Sequence, residues 1–289
     1  MASKQAEKGK VSGIDISEYK PESEPFYVDV NGETKMFMSA YRNMIPVMLK
    51  GPTGCGKSRF VERMAYDQNQ QRVKTSGLPV PLVTVACHED LTADDLKGRH
   101  LLDGTFMPGA ALVAVQTGGM LYLDEIVEAR NDTTVVIHPL ADHRRTLTVE
   151  KLGKVFKAPD SFMLVISYNP GYQKKTKDLK MSTKQRFVAI NFDYPSTDVE
   201  AGIIMHEAGI EKDIAHALTE IGQHVRNMKS KGLQEGASTR LLIDAGKLIK
   251  DGIEPLAACR AAILNPIIDD VDVYKQVYAG LEDVVKNFF

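Results

Sequence analysis

Short, almost wholly apolar runs alternate with helix-like segments over the first two thirds of the chain. The apolar runs are residues 47–50, 81–87, 120–126, 162–169 and 188–194. Runs without polar alternation are typical of parallel strands buried on both faces, and parallel strands need helical crossovers between them. The pattern therefore predicts an α/β fold with a parallel sheet flanked by helices.

After Pro195 the apolar residues keep only helical spacing. In the segments 213–228, 238–252 and 255–264 they recur at intervals of three and four residues, which predicts amphipathic helices. Residues 1–24 are polar and carry Gly, Ser, Pro and Lys, a composition typical of a mobile arm. We therefore predict a flexible arm over residues 1–24, an α/β domain over 25–195 and a small all-helical domain over 196–289.

The first predicted strand runs directly into the sequence GPTGCGKS, and a helical pattern follows. In such a loop the backbone N–H groups face the phosphates of a nucleotide, Lys57 reaches the β- and γ-phosphates, and the Ser58 hydroxyl can bind Mg²⁺. A dinucleotide fingerprint is excluded because no third glycine follows Gly56 at the required spacing. The predicted nucleotide-binding residues are Gly51, Pro52, Thr53, Gly54, Cys55, Gly56, Lys57 and Ser58.

Two acids end the third predicted strand, in the sequence MLYLDE. Asp124 can complete the Mg²⁺ shell together with Ser58, while Glu125 can polarise a water molecule against the γ-phosphate. Asn169 ends the fourth predicted strand. If that strand lies between the first and the third, Asn169 would lie beside Glu125 and could orient the attacking water; the alternative is a turn residue before Pro170.

Two arginines complete the candidate catalytic set. Phosphoryl transfer gains from a guanidinium placed on the γ-phosphate. Arg186 precedes the fifth predicted strand, and Arg240 opens a predicted helix of the C-terminal domain. The alternative for each is a solvated or salt-bridged surface residue. No second reactive constellation accompanies these motifs, which favours mechanical use of the energy of hydrolysis.

Charge and cysteine content exclude several classes of function. The net charge of −2 and the isoelectric point near 6.4 indicate no general attraction to nucleic acid or anionic membrane. The basic segment 174–186 lacks interleaved aromatic residues, which favours a solvated or subunit-facing surface. No apolar run approaches the ~20 residues that a bilayer span needs. Three isolated cysteines predict a reducing, cytoplasmic compartment and neither a disulfide framework nor a zinc site.

These motifs, in this order, resemble the AAA+ ATPases, whose α/β domain is followed by a helical lid. The segment GRHLLDGTFMPGAALVAVQTGGMLYLDEI is similar to the MoxR branch, which carries an insert in its second helix. Four longer segments then resemble the CbbQ/NorQ family within that branch over roughly residues 26–285. They read IPVMLKGPTGCGKSRFVERMA, TVACHEDLTADDLKGR, LDEIVEARNDTTVVIHPLADHRR and LVISYNPGYQKKTKDLKMSTKQRF.

The resemblance implies roles for the site residues. It makes Asn169 the first sensor and Arg240 a second sensor acting from the lid, and it makes Arg186 a finger that reaches the nucleotide of a neighbouring subunit. The stretch before the finger departs from the family pattern at Met181 and Lys184, so Arg144 or Arg145 could share that role. The resemblance also places Phe106 of the short insert where an aromatic residue is common; it either faces a central pore or simply packs.

The resemblance further implies a homo-hexameric ring that hydrolyses ATP with Mg²⁺ and works with a CbbO-like adaptor carrying a von Willebrand factor A domain. Its implied client is inhibited Rubisco, from which tight-binding sugar phosphates are released, in the cytoplasm and with carboxysome association left open. One alternative is a NorQ-like chaperone that activates nitric oxide reductase by metal insertion. The others are a nucleic-acid motor and a nucleotide-binding scaffold that does not hydrolyse ATP.

Overall fold

The chain divides into two compact units. The computed structural model describes residues 10–11, 14–16, 19, 23–76, 79–170, 179–228 and 235–288. One unit combines the chain up to Gly51 with Lys57–Asn191, and the other combines Pro52–Gly56 with the chain from Phe192 onward. Most of the predicted arm, residues 1–24, and part of the basic segment, residues 174–178, lie outside the described residues.

A five-stranded parallel sheet forms the centre of the first unit. The described strands are β1 (Lys10–Val11), β2 (Ile14–Asp15), β3 (Val47–Lys50), β4 (Leu82–Ala86), β5 (Gly98–His100), β6 (Phe106–Pro108), β7 (Met120–Asp124), β8 (Thr146–Val149), β9 (Lys154–Lys157), β10 (Met163–Tyr168) and β11 (Val188–Asn191). The sheet has the order β11-β3-β10-β7-β4, and all its pairs are parallel. The predicted α/β sheet is confirmed, and β10 lies between β3 and β7.

Helices flank this sheet in the first unit. They are α1 (Glu33–Arg42), α2 (Lys57–Ser76), α3 (Ala93–Lys97), α4 (Ala110–Thr117), α5 (Asn131–Val135) and α6 (Met181–Lys184). Short 3₁₀ turns cover Ile126–Glu128 and Glu150–Leu152. Because the strands are parallel, their carboxyl ends meet at one edge of the sheet, which is where ligands bind in such folds.

The interior strands are buried along nearly their whole length. Every residue of β10 is buried, and in β7 only the last residue, Asp124, is partly exposed. The apolar runs in the sequence are longer than the strands that they predict. The run 120–126 leaves the sheet at Asp124 because Glu125 adopts a left-handed backbone conformation with φ 53°, and the run 188–194 leaves it at Asn191.

Besides the sheet, the described residues of the first unit form three small antiparallel pairs, β1 with β2, β5 with β6 and β8 with β9. Strands β8 and β9 pair across a connection that includes Gly153, whose φ of 60° suits glycine. Strands β5 and β6 pair between α3 and α4, so they interrupt the helical layer as the resemblance implied. The Phe106 ring lies 5.3 Å from the His100 ring and against Gly98, and it packs on the main core, which favours the packing role over a pore role.

The second unit is helical apart from its loops. Its helices in the described residues are α7 (Thr197–Ala208), α8 (Lys212–Asn227), α9 (Thr239–Lys250), α10 (Pro255–Cys259) and α11 (Val271–Phe288), with a π-helical turn at Arg260–Leu264. The apolar faces meet in a separate core that includes Ile204, Leu218 and Leu242. The helical spacing of apolar residues after Pro195 therefore predicted this helical region correctly.

Candidate active site

The phosphate loop begins where β3 ends. Gly54 and Gly56 adopt φ values of 68° and 95°, a region that residues with a side chain rarely enter, and α2 starts immediately afterwards at Lys57. The Lys57 side chain is buried, and its Nζ donates a hydrogen bond of 2.8 Å to the carbonyl of Gly51. The lysine is thus folded back over the backbone at the carboxyl end of β3.

A cluster of oxygen atoms joins the start of α2 to the end of β7. The Ser58 hydroxyl donates to Asp124 Oδ2 over 3.3 Å. The Tyr122 hydroxyl donates to Asp124 Oδ1 over 2.7 Å and lies 3.3 Å from Ser58 Oγ. Serine hydroxyl and carboxylate oxygens are the ligands that Mg²⁺ takes in nucleotide sites. The two residues predicted to bind the metal are therefore in hydrogen-bonding contact within the first unit.

Ser167, on the neighbouring strand β10, connects both acids. Its hydroxyl donates to Asp124 Oδ1 and accepts from the backbone N–H of Glu125 over 3.1 Å. Glu125 has the left-handed values φ 53° and ψ 48°, and its side chain is exposed. The buried Ser167 hydroxyl thus bonds both to the Asp124 carboxylate and to the backbone of Glu125, whose side chain is exposed.

Sequence reasoning missed Tyr122 and Ser167. The signal was available, because each is a polar residue inside an otherwise apolar buried strand. Burial, with the charge of Asp124 added, raises the pKa of the Tyr122 hydroxyl far above the neutral range. The hydroxyl therefore remains a protonated donor at neutral pH.

Cys87 lies beside the same acids but is not a reactive thiol. Its backbone N–H donates to the carbonyl of Asp124 over 2.9 Å. Burial, reinforced by the charges of Asp124 and Glu125, raises the pKa of the Cys87 thiol to about 12. Because the thiolate is the nucleophilic form, this cysteine stays inert near neutral pH.

Asn169 follows β10 directly and is partly buried. The register places Tyr168 opposite Lys50 of β3 and Ile166 opposite Leu123 of β7. Asn169 thus lies one residue beyond β10. The two strands that pair with β10 are β3, which leads into the phosphate loop, and β7, which leads to Asp124 and Glu125. The sheet order on which its predicted role depends is present.

Arg186 follows the short helix α6. Its guanidinium donates to the carbonyl of Ser182, and its Nε is buried without a hydrogen-bond partner among the described residues. His138 lies nearby, with its Nε2 2.9 Å from the Thr183 hydroxyl. Burial lowers the pKa of His138, and the positive charges of Arg186 and Lys180 lower it further, so the ring is neutral at neutral pH.

The two arginines considered as additional fingers differ in their surroundings. Arg145 donates to the carbonyls of Met44, Pro159 and Phe162 at 2.9–3.0 Å, so its guanidinium serves the folding of its own unit. Arg144 is exposed and pairs with Asp142 at 2.6 Å. Of the two, Arg145 is therefore bound within its own unit, whereas Arg144 lies at the surface.

Arg240 belongs to the second unit. It is exposed and is the second residue of α9, whose N-terminus is capped by the Ser238 side chain accepting from the Leu241 N–H over 3.4 Å. Within that unit the Cβ atom of Arg240 lies near Gly54 of the phosphate loop. Arg240 is therefore an exposed residue next to Gly54 within the second unit.

The described part of the chain carries neither a membrane span nor a cluster of metal ligands. None of its helices is long and apolar enough to cross a bilayer. The same residues contain no group of three or more His, Cys, Asp and Glu side chains arranged to hold a metal ion.

Models of two protein families match the chain. Residues 46–187 match the AAA domain of the dynein-related subfamily, and residues 200–288 match the C-terminal domain of CbbQ, NirQ and NorQ. Among solved structures, a point mutant of RuvB from Thermotoga maritima is similar with a TM-score of 0.55 at 15% identity, covering 91% of this chain and 74% of that one. This likeness shows the fold alone.

Three curated relatives cover almost the whole chain. It is 54% identical to the protein CbbQ of Hydrogenophilus thermoluteolus, over 89% of this chain and 94% of the relative. It is 51% identical to the denitrification regulatory protein NirQ of Pseudomonas aeruginosa, over 90% and 96%. It is 44% identical to the protein NorQ of Paracoccus denitrificans, over 92% and 94%. The chain belongs to the CbbQ/NirQ/NorQ family of AAA+ ATPases.

Proposed function

We propose that this protein is the ATP-hydrolysing motor of a Rubisco-reactivating system. The geometry that supports hydrolysis is the contact of Ser58 and Asp124, held together with Glu125 by Ser167. The choice of client is supported by the 54% identity to CbbQ.

The phosphates of ATP bind the backbone N–H groups of residues 51–58, and Lys57 turns from the Gly51 carbonyl to the β- and γ-phosphates. This arrangement suits anion binding because the loop leads into the N-terminus of a 20-residue helix. Removing the Lys57 amine removes the one positive charge that the motif places on the phosphates. Lys57→Ala should therefore abolish nucleotide binding.

Ser58 and Asp124 would hold Mg²⁺, and their oxygen atoms, already in contact at 3.3 Å, fit its preference for hydroxyl and carboxylate ligands. When bound, the metal neutralises charge on the β- and γ-phosphate oxygens. Tyr122 and Ser167 keep the Asp124 carboxylate oriented towards Ser58.

Glu125 is proposed as the residue that accepts a proton from the attacking water. Its exposed side chain and left-handed backbone direct the carboxylate away from the sheet, where a water molecule can reach it. Asn169 orients that water, and Arg240 contacts the nucleotide from the lid. The side chain of Glu125 must be ionised to act, so replacement by glutamine should stop hydrolysis while binding persists.

Arg186 is proposed to act on the nucleotide of a neighbouring subunit, as a finger supplied in trans. Such a finger requires assembly, and AAA+ proteins generally form rings; we propose a homo-hexamer. The work of the ring is delivered to inhibited Rubisco through a CbbO-like adaptor with a von Willebrand factor A domain, so that bound sugar phosphates leave. We place this activity in the cytoplasm, with ATP and Mg²⁺ as cofactors and no nucleic acid or membrane partner.

The deciding experiment is reactivation of Rubisco. Rubisco inhibited by its own sugar phosphate substrate is mixed with this protein, ATP and the adaptor, and carboxylation is followed over time. We expect recovery that requires ATP and is lost in Glu125→Gln. Glu128→Gln, three residues further along the chain, is the matched control and should retain recovery.

A second client is favoured by the identities of 51% to NirQ and 44% to NorQ. In this alternative the same motor activates nitric oxide reductase by helping to insert metal. Intact ATP hydrolysis without recovery of Rubisco would contradict the first client and direct the test to the reductase. Unchanged phosphate release by Glu125→Gln would contradict the catalytic assignment itself.

A further inference from the structure

A buried ion pair joins helices α7 and α8 of the second unit. Glu200 of α7 is fully buried, and its two carboxylate oxygens accept from the two terminal nitrogens of Arg226 of α8 over 2.6 and 2.7 Å. The Arg226 side chain is only 14% exposed. Buried charges are tolerated only when they are paired and hydrogen-bonded, so each residue depends on the other.

The same pair anchors the start of the helix that carries Arg240. The Thr239 hydroxyl donates to Glu200 Oε1 over 2.6 Å. The Nε of Arg226 donates to the carbonyl of Ala237 over 2.7 Å. The segment before Arg240 is therefore held from both sides by one pair of charges.

Tyr194 extends the network to the phosphate loop. The guanidinium of Arg226 lies over the Tyr194 ring, 3.8 Å from its centroid, which is a close cation–π contact. The Tyr194 hydroxyl donates to the backbone carbonyl of Thr53 over 3.1 Å. Burial raises the pKa of this hydroxyl far above neutrality, so it remains a donor at neutral pH.

A second contact joins the loop to the same helix. Gly54 lies so close to Ser238 that a Cβ atom built on the glycine would overlap the serine side chain. Ser238 is the cap of α9, and Thr239 and Arg240 follow it. The loop thus meets the helix N-terminus directly at Gly54, and it is linked to it indirectly through Tyr194 and Arg226.

From these contacts we infer that Tyr194 is a positioning residue for nucleotide binding. It holds the phosphate loop in register with the start of α9, and the buried pair Glu200–Arg226 holds Tyr194 in place. The inference rests on the proposed function, because it assigns a role to residues outside the motifs of the same nucleotide site. None of the three residues would itself touch the nucleotide in this role.

The first test compares two tyrosine hydroxyls of the second unit. Tyr194→Phe keeps the ring over Arg226 and removes only the donor to Thr53, whereas Tyr274→Phe removes an exposed bond to Asn265 that is unrelated to the loop. A fluorescent ADP analogue is titrated into each purified protein. We expect its dissociation constant to rise about threefold to tenfold for Tyr194→Phe, the effect of one lost hydrogen bond, and to stay unchanged for Tyr274→Phe.

A merely structural role would give a different result, namely a lower melting temperature with the dissociation constant unchanged. That outcome for Tyr194→Phe overturns the inference and leaves the proposed function intact. Arg226→Lys provides a second variant, since it keeps the charge facing Glu200 but loses the planar contact with Tyr194 and the bond to Ala237. It should weaken nucleotide binding at least as much as Tyr194→Phe, and wild-type affinity in this variant would also contradict the inference.

The failure of the proposed function is recognised separately. If the wild-type protein binds no nucleotide, and Lys57→Ala changes nothing, then the nucleotide site is wrong and the inference falls with it. If the wild type binds and Lys57→Ala does not, the site stands and only the comparison of the two tyrosine variants decides the role of Tyr194.

Discussion

Two polar side chains lie within strands that are otherwise apolar, and both donate a hydrogen bond to Asp124 at the edge of the sheet. Tyr122 and Ser167 each donate to Oδ1 of Asp124, and Ser167 also accepts from the Glu125 N–H. A hydrogen bond to a charged group contributes about 1.5–3 kcal/mol, more than a bond between neutral groups. At this scale, the Asp124 carboxylate and the Glu125 backbone share one hydrogen-bonding partner, the Ser167 hydroxyl of the neighbouring strand.

The residue-scale prediction is that Ser167→Ala lowers kcat for ATP hydrolysis by about tenfold to a hundredfold, the range that loss of a charge-assisted hydrogen bond implies. Nucleotide affinity should change little, because Lys57 and the loop backbone are untouched. Steady-state phosphate release at several ATP concentrations separates the two parameters.

Ser39→Ala, on the exposed face of α1, is the control for that substitution and should behave as the wild type. Ser167→Thr retains the hydroxyl and should recover part of the rate. An equal kcat in Ser167→Ala and wild type would show that the hydroxyl does not position Asp124 and Glu125 for the reaction.

At the scale of elements, a buried ion pair joins helices α7 and α8, and it differs in exposure from an ion pair on the surface of the same unit. The pair Glu200–Arg226 is buried, whereas the side chains of Glu282 and Lys286, paired on α11, are 38% and 68% exposed. Removing one partner of a buried pair leaves the other charge unpaired in the interior. An exposed pair contributes little because water and salt screen it.

The element-scale prediction follows from that difference. Glu200→Gln preserves the volume but leaves Arg226 without its counter-charge, so the free energy of unfolding of the helical unit should fall by about 3–5 kcal/mol. Glu282→Gln should lower it by less than about 1 kcal/mol. Urea unfolding followed by circular dichroism measures both; similar midpoints for the two variants would contradict the role given to the buried pair.

At the scale of the whole molecule, the chain combines an α/β unit and a helical unit, and the tip of the phosphate loop packs with the helical one. Residues 52–56 belong to the second unit, although Gly51 and Lys57 belong to the first. Within the second unit, Tyr194 and Ser238 are among the residues that contact this tip. The segment that binds phosphate in the proposed function is therefore supported by residues that follow it in the chain by more than 140 positions.

The prediction at the scale of the whole molecule concerns the assembly of subunits. Arg186→Ala should bind nucleotide but lose turnover, and Glu125→Gln should do the same for a different reason. If the finger acts in trans, co-assembled rings of the two variants form sites that combine an intact Glu125 with a neighbour's intact Arg186. Random mixing in equal amounts should restore about a quarter of the wild-type ATPase rate. Mixtures as inactive as either variant alone would contradict the trans role of Arg186.

Local patterns were enough to predict the sheet strands, the phosphate loop and the helical character of the C-terminal part. They depend on properties that neighbouring residues carry themselves, such as apolar runs of four to eight residues or glycines at fixed spacing before Lys57. Strand ends were less predictable. The chain leaves the sheet at Glu125 through a left-handed backbone conformation, which the neighbouring residues in the sequence do not predict. The strand order was only a condition for the role of Asn169 at the sequence level, and the structure meets that condition.

The sequence by itself determined the fold class, the nucleotide motif and the family. Only the tertiary structure decided which distant residues meet. Ser167 reaches Asp124 because β10 and β7 are neighbours in register, and Tyr194 reaches Thr53 across 141 positions of the chain. The spacing of residues along the chain does not predict such contacts. Such contacts form because the ends of parallel strands lie side by side and because a buried charge such as Glu200 is stable only with a partner. Both arrangements exist only in the folded molecule.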